Sequence, residues 1–383
     1  FNFARKLEKR KLDNFESDLI IGIYYLKDEQ FELSQKYFEK LKSRNSRFVI
    51  NNFVANSLFN WASFNGLNIN NAQNKINLID SRFENLKNIQ NAFLHCFYKS
   101  KQTDTFFNKL SSNNKIDFSR YNYFYAKYLV NLGEIKSAKE LINSSLELYP
   151  RNLLLNQYKL DLNNGDKENS FDCQNQSHVA AEILYINANA LSSQSIFKLS
   201  NFYLNLAKYL NPNFYSFDVL LAENYYVINN YKQAKKIYNN MEKQGTIFNW
   251  HASKQNSRIL IKEEKKDKAL KHLTNNYSKL TKKDVYEIFD YAEFLKNNEQ
   301  FESAIKFYDE LIKKIKKDHS LYPRAMDGRG VAYERIGKWN SAEKDLLASL
   351  NINPNQAYVI NYLAYSWIEQ GIKIEKSLNM LEK

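Results

Sequence analysis

The stretch GRGVAYERIGKWNSAEKDLLASLNINP, residues 328–354, opens with two glycines and ends on a proline. It reads either as a phosphate-binding loop or as one tile of a repeat. A dinucleotide fingerprint needs a third glycine where Tyr333 stands, and a Walker loop needs a Gly-Lys-Ser/Thr triplet that is absent. The spacing marks a repeat instead. From the small residue Gly330, Tyr333 follows after three residues, Ala342 after twelve, Leu346 after sixteen and Pro354 after twenty-four.

The same spacing recurs along the chain. Ala126 is followed by Leu129, Ala138, Ile142 and Pro150; Ala188 by Leu191, Ser200, Leu204 and Pro212. Ala222, Ala292 and Gly22 anchor further copies, and Ala364 starts a last one that blurs after Trp367. A copy near Ser257 fills the interval between Ala222 and Ala292, and weaker copies sit around Ala55 and Ala92. The step is 34 residues from Ala188 to Ala222 and again from Gly330 to Ala364.

Two antiparallel helices joined by a short turn explain the pattern. A small residue on each helix lets the backbones approach, and large apolar residues three or four positions away fill the adjoining space. The proline suits the start of the next helix and not its interior. Gly337 and Gly133 fall in the turn, where a positive φ costs glycine little.

Composition agrees. The 383 residues contain only 9 Gly and 4 Pro, too few for the many turns of a strand-rich fold, while 44% hydrophobic residues suffice for a sizeable core. The formal charge of +13 is compatible with a polyanionic partner. The abundance of Asn, Ile, Tyr, Phe and Lys is also what an AT-rich genome produces, and that reading is preferred. No apolar run approaches the roughly 20 residues that span a bilayer. The chain begins at Phe1 and ends at Lys383 within a helical pattern, so both ends read as cuts and the lack of a leader carries no weight.

The spacing, with its small anchor, Tyr333, Ala342 and Pro354, resembles the tetratricopeptide repeat. That resemblance implies an all-α fold: a right-handed superhelical solenoid of antiparallel helix pairs, with about ten helix-turn-helix units. Segments 180–192, 206–225 and 357–383 are similar to a group of multi-repeat tetratricopeptide proteins of alphaproteobacteria. This second resemblance implies an exported envelope scaffold that continues beyond Lys383.

The anchors break step between Ala126 and Ala188, where the polar run NNGDKENSFDCQNQS occupies residues 163–177. We expect a degenerate array over 1–162, a joint or surface insertion at 163–177, and a more regular array over 178–383. A second irregularity, KKIKKDHSLYPRA at 313–325, adds four residues before Pro323 restarts a helix.

No enzymatic motif emerges. The five histidines form no HExxH, and His95 beside Cys96 makes a poor metal pair, because neighbours on a helix point about 100° apart. Cys96 and Cys173 make neither a metal motif nor a disulfide framework. No catalytic residue, metal or cofactor is therefore expected.

In a repeat of this kind the first helix of each pair lines the concave face. Side chains near the small anchor then face a groove. The nominated residues are Arg120, Tyr123, Lys127, Glu223 and Tyr226, followed by Lys254, Arg258, Glu293 and Lys296, and finally Asp327, Glu334, Asn361 and Tyr365. Their signs are mixed. A groove for RNA would be uniformly basic, whereas a groove for a peptide or protein partner accommodates mixed charge and aromatics. The expected function is a non-enzymatic protein-interaction scaffold. The alternative is a helical-repeat RNA-binding protein that uses its net positive charge.

Overall fold

The computed structural model of the chain describes residues 1–44, 49–111, 119–165 and 170–382. Among them are 22 α-helices, two short 3-10 turns and no strand. The helices run α1 (Asn2–Lys9), α2 (Phe15–Lys27), α3 (Phe31–Ser43), α4 (Val49–Ser63), α5 (Ile69–Asn77), α6 (Glu84–Phe97), α7 (Thr103–Ser111) and α8 (Ser119–Asn131). There follow α9 (Ile135–Leu148), α10 (Leu153–Asn164), α11 (Gln176–Ser193), α12 (Phe197–Leu210), α13 (Ser216–Val227), α14 (Tyr231–Met241) and α15 (Thr246–Lys262). The remainder are α16 (Lys266–Lys279), α17 (Val285–Asn297), α18 (Phe301–Lys314), α19 (Leu321–Arg335), α20 (Trp339–Ile352), α21 (Ala357–Glu369) and α22 (Ile374–Leu381). The chain divides into two compact units, Phe1–Asn249 and Trp250–Lys383.

The repeat spacing is visible in the packing. The second-helix positions Ser34, Ala138, Ser200, Ala234, Ala269, Ala304 and Ala342 are all fully buried, as are the anchors Ala126, Ala188, Ala222, Ser257, Ala292 and Ala364. Two pairs add a hydrogen bond at this contact: Ser34 Oγ donates to the Gly22 carbonyl (2.9 Å) and Ser200 Oγ to the Ala188 carbonyl (2.7 Å). Gly22 shows how close the approach is, since a Cβ there would stand 2.8 Å from a ring carbon of Phe38.

The turn between paired helices is equally regular. Seven residues after each of nine anchors the backbone is left-handed: Glu29, Lys99, Gly133, Ser195, Asn229, Glu264, Glu299, Gly337 and Gly371. Gly133 and Gly337 are the turn residues that the sequence marks. The other non-glycine positions take the same conformation because the helix pair requires it there. The weak copy around Ala55 lacks such a turn and is followed by a 3-10 turn at Phe64–Gly66. At the second irregularity, α18 closes at Lys314 and Pro323 lies in the first turn of α19.

The two compact units meet in sequence at Asn249 and Trp250, and the segment 163–177 belongs to the first of them. Residues 166–169 of that segment lie outside the described residues, but Phe171, Cys173, Gln176 and Ser177 are buried in the N-terminal unit. Phe171 packs on Phe124 (4.2 Å between centroids) and Phe93 (5.5 Å). Gln176 Nε2 donates to the Trp61 carbonyl at 2.5 Å. The cause is an odd helix. Gly165 (φ +78°) closes α10, and no second helix follows among the described residues before α11. The chain then turns back so that α11 packs against α4.

This return also joins the cysteines. Cys96 of α6 and Cys173 form a disulfide across 77 residues, with Cα atoms 5.9 Å apart. The sequence offers no disulfide framework, because the pairing follows from the turn-back after α10 and not from local spacing.

Candidate functional site

Arg120, Glu182 and Ser216 occupy one repeat position. Each stands six residues before its small anchor, Ala126, Ala188 or Ala222. They lie on α8, α11 and α13, and they bond to one another. Arg120 Nε and Nη2 donate to the two carboxylate oxygens of Glu182, both at 2.7 Å, and Nη1 donates to Ser216 Oγ. The guanidinium lies 3.8 Å from the Tyr185 ring centroid and 5.1 Å from that of Phe214. Glu182 is fully buried. Burial pushes its carboxyl pKa up, and Arg120 opposes that shift. Burial disfavours the Arg120 cation as well, but Glu182 outweighs it and the net shift is upward.

Beside this pair lies a cavity of about 690 Å³. Leu86, Ile89, Leu154, Ile186, Leu220 and Phe248 make its apolar wall. Asn85, Asn152, Asn189 and Glu223 supply polar groups. Asn152 is engaged, capping α10 and donating to Ser119 Oγ at 2.8 Å. A second cavity of about 220 Å³ shares the lining residues Leu154, Ser216 and Phe248. Its wall includes Tyr123, Phe214 and Tyr158, and the Tyr158 hydroxyl is buried with no hydrogen-bond partner among the described residues.

The structure thus brings Arg120 and Glu223 to one cavity and places Tyr123 in the wall of the next. Tyr123 is only 2% exposed, and its hydroxyl pairs with Ser170 Oγ at 2.6 Å. Lys127 is buried with Nζ 5.3 Å from the Tyr158 ring centroid, and Tyr226 is buried against Tyr231. Neither lines a cavity wall described above.

In the C-terminal unit several of the nominated residues are engaged within the protein. Lys254 pairs with Asp290. Glu293 accepts from Lys296 Nζ (2.9 Å) and from the Tyr308 hydroxyl. Burial raises the Asp327 pKa to about 7, with Lys296 opposing and Glu293 adding to the rise. Glu334 accepts from the Tyr362 hydroxyl at 2.5 Å. Arg258, Asn361 and Tyr365 are exposed. The nominated set is therefore divided between the two units.

Glu182, Tyr185, Ser216, Asn189 and Tyr158 went unnominated. For the first and third, the signal was available: they share the repeat position of Arg120.

The histidines are held in local contacts. His95 is buried between Ser100 Oγ (3.0 Å) and Gln73 Oε1 (3.1 Å). His178 Nδ1 accepts from the Asp172 backbone N–H, and His319 Nδ1 from that of Leu321. Among the described residues no group of three or more His, Cys, Asp or Glu could hold a metal, and no helix is long and apolar enough to cross a membrane.

Nine helix pairs in one register define a tetratricopeptide-like α-solenoid protein. No family model and no curated protein matches the chain. Among solved structures it is similar to the apo form of the quorum sensor NprR from B. thuringiensis, at 13% identity over 98% of this chain and 97% of that one, with a TM-score of 0.42. It is similar to the APC/C hetero-tetramer Cut9-Hcn1 at 15% identity over 95% of this chain and 73% of that one (TM-score 0.39). YrrB, described as a TPR protein with an unusual peptide-binding site, aligns at 18% identity over 47% of this chain and 90% of its own (TM-score 0.34).

Proposed function

We propose that the chain is a non-enzymatic interaction scaffold that holds a segment of a protein partner in the groove of its N-terminal unit. The observation that carries this reading is the cavity of about 690 Å³ beside the Arg120–Glu182 pair. Its size lies within the usual range for ligand sites, roughly 300–1,000 Å³, and its apolar wall with a few polar groups suits a peptide better than a polyanion. The one cation nominated at this cavity, Arg120, is already bound by Glu182, so no basic stripe is left for a phosphate backbone.

The test is capture from native extract by the immobilised chain, with and without nuclease, beside a Val219→Trp variant that fills the cavity. Val219 is half-buried in the cavity wall. Proteins that survive nuclease and are lost with Val219→Trp are the expected result. Retention that disappears with nuclease and ignores Val219→Trp would overturn the reading in favour of RNA binding.

A further inference from the structure

We propose that the groove of the N-terminal unit selects an extended peptide segment bearing a lysine or arginine, whose charge lies against Glu223. This inference rests on the groove reading above and adds the chemistry of the occupant.

Three observations converge on it. The first is charge. Arg120 is consumed by Glu182 and Ser216, whereas Glu223, half-buried in the same wall, has no ion pair or hydrogen bond among the described residues. The wall is left with one uncompensated carboxylate. An acidic segment would set a like charge against it, and a basic segment neutralises it.

The second is spacing. Asn189 and Glu223 each follow their anchor by one residue and are 34 residues apart, on α11 and α13. Neighbouring first helices lie roughly 10 Å apart, which is about three residues of extended chain. The Asn189 carboxamide, also without a partner among the described residues, can donate to and accept from a peptide backbone while Glu223 meets a side chain a few residues on.

The third is the adjoining cavity of about 220 Å³, whose wall contains the buried Tyr158 hydroxyl with no partner. A buried hydroxyl without a hydrogen bond costs about 1–3 kcal/mol, and an occupant that supplies the bond recovers it. The cavity accepts one large side chain from the same segment, with a hydrogen-bonding group at its tip.

The experiment selects from a random peptide library displayed on phage, using the purified full chain and, separately, its Glu223→Lys variant. Circular dichroism confirms that both are folded, and Glu223→Gln serves as a milder second variant. The wild type should enrich peptides with Lys or Arg at one fixed position. Synthetic copies should bind Glu223→Lys roughly tenfold or more weakly, and selection on Glu223→Lys should enrich Asp or Glu there. Peptides that are lost with Val219→Trp but carry no basic residue, or that bind Glu223→Lys equally well, would overturn the charge inference and leave the groove standing. Recovery of no peptide that depends on the cavity would overturn the groove reading itself.

Discussion

Arg120 and Glu182 form a two-pronged ion pair across 62 residues, and each occupies the same position in its own repeat. The pair therefore ties the first helix of one repeat to that of the next at the edge of the cavity. Its energetics are asymmetric. Removing the cation strands a fully buried carboxylate, at a cost of about 3–5 kcal/mol, whereas replacing both groups by apolar ones is far milder. Arg120→Ala is expected to lower the unfolding free energy of the full chain by that amount in urea titration. Arg120→Met with Glu182→Leu should recover most of the loss. Equal losses in the single and double variants would show that the pair acts through packing and not through charge.

The Cys96–Cys173 disulfide anchors the segment that carries Phe171 into the core. Closing a loop of 77 residues removes enough denatured-state entropy to contribute about 4 kcal/mol. Dithiothreitol should therefore shift the urea midpoint of the wild type downward. A Cys96→Ser/Cys173→Ser variant should start at the lower midpoint and ignore the reductant. A wild type with no response would show that the bridge is absent in solution.

His178 sits beside that bridge and is held neutral. Burial, with Lys27 adding to it and Asp172 opposing, pushes its pKa down from 6.5 to about 4. The unfolded chain then binds more protons than the folded one between those values. The stabilisation is complete above about pH 6.5 and is lost as the pH falls toward 4. Between pH 7 and pH 5 the urea midpoint of the wild type should fall relative to that of His178→Gln, whose side chain does not titrate. His251 in the C-terminal unit is shifted in the same direction, whereas Glu287 and Asp327, which burial raises to about 7, act in the opposite sense, so the comparison with His178→Gln isolates the one group.

Much of this architecture was legible in the residues, and the rest was hidden for identifiable reasons. The anchors and their partners at twelve and sixteen residues can be read directly, because a close helix contact accepts only small residues there. Gly133 and Gly337 announce the left-handed turn by type, while Glu29, Lys99, Ser195 and Glu264 adopt it by position alone. The disulfide was invisible, since it depends on the return of the chain after α10. Arg120 and Glu223 line one cavity. Tyr123 faces inward because a large side chain on a first helix can serve either the core or the groove, and only the neighbouring Phe124, Phe214 and Tyr158 settle which.

Gly328 tests the packing of the C-terminal unit. Helix propensity alone favours alanine there by about 1 kcal/mol. A Cβ, however, would stand 2.6 Å from Cζ of Tyr308 and 2.9 Å from Oε1 of Glu293. Tyr308 is fully buried and bonded to Glu293, so it cannot swing aside. Overpacking of this kind costs about 1–3 kcal/mol, and Gly328→Ala should destabilise despite its better propensity. A gain in thermal midpoint would mean that Tyr308 has room to move.

Glu264 offers the opposite sign. Its φ is 60°, and its side chain is exposed with no hydrogen bond or ion pair among the described residues. A non-glycine residue in the left-handed region costs about 1–2 kcal/mol. Glycine removes that cost but gives up about 0.5–1 kcal/mol to the greater freedom of the unfolded chain. The difference favours Glu264→Gly by about 0.5 kcal/mol, measurable as a higher urea midpoint at unchanged slope. Glu264→Ala, which keeps the Cβ, should show no such gain. If alanine matched glycine, the turn would owe its geometry to the helix contact alone, and the residue seven places after each anchor would carry no conformational penalty.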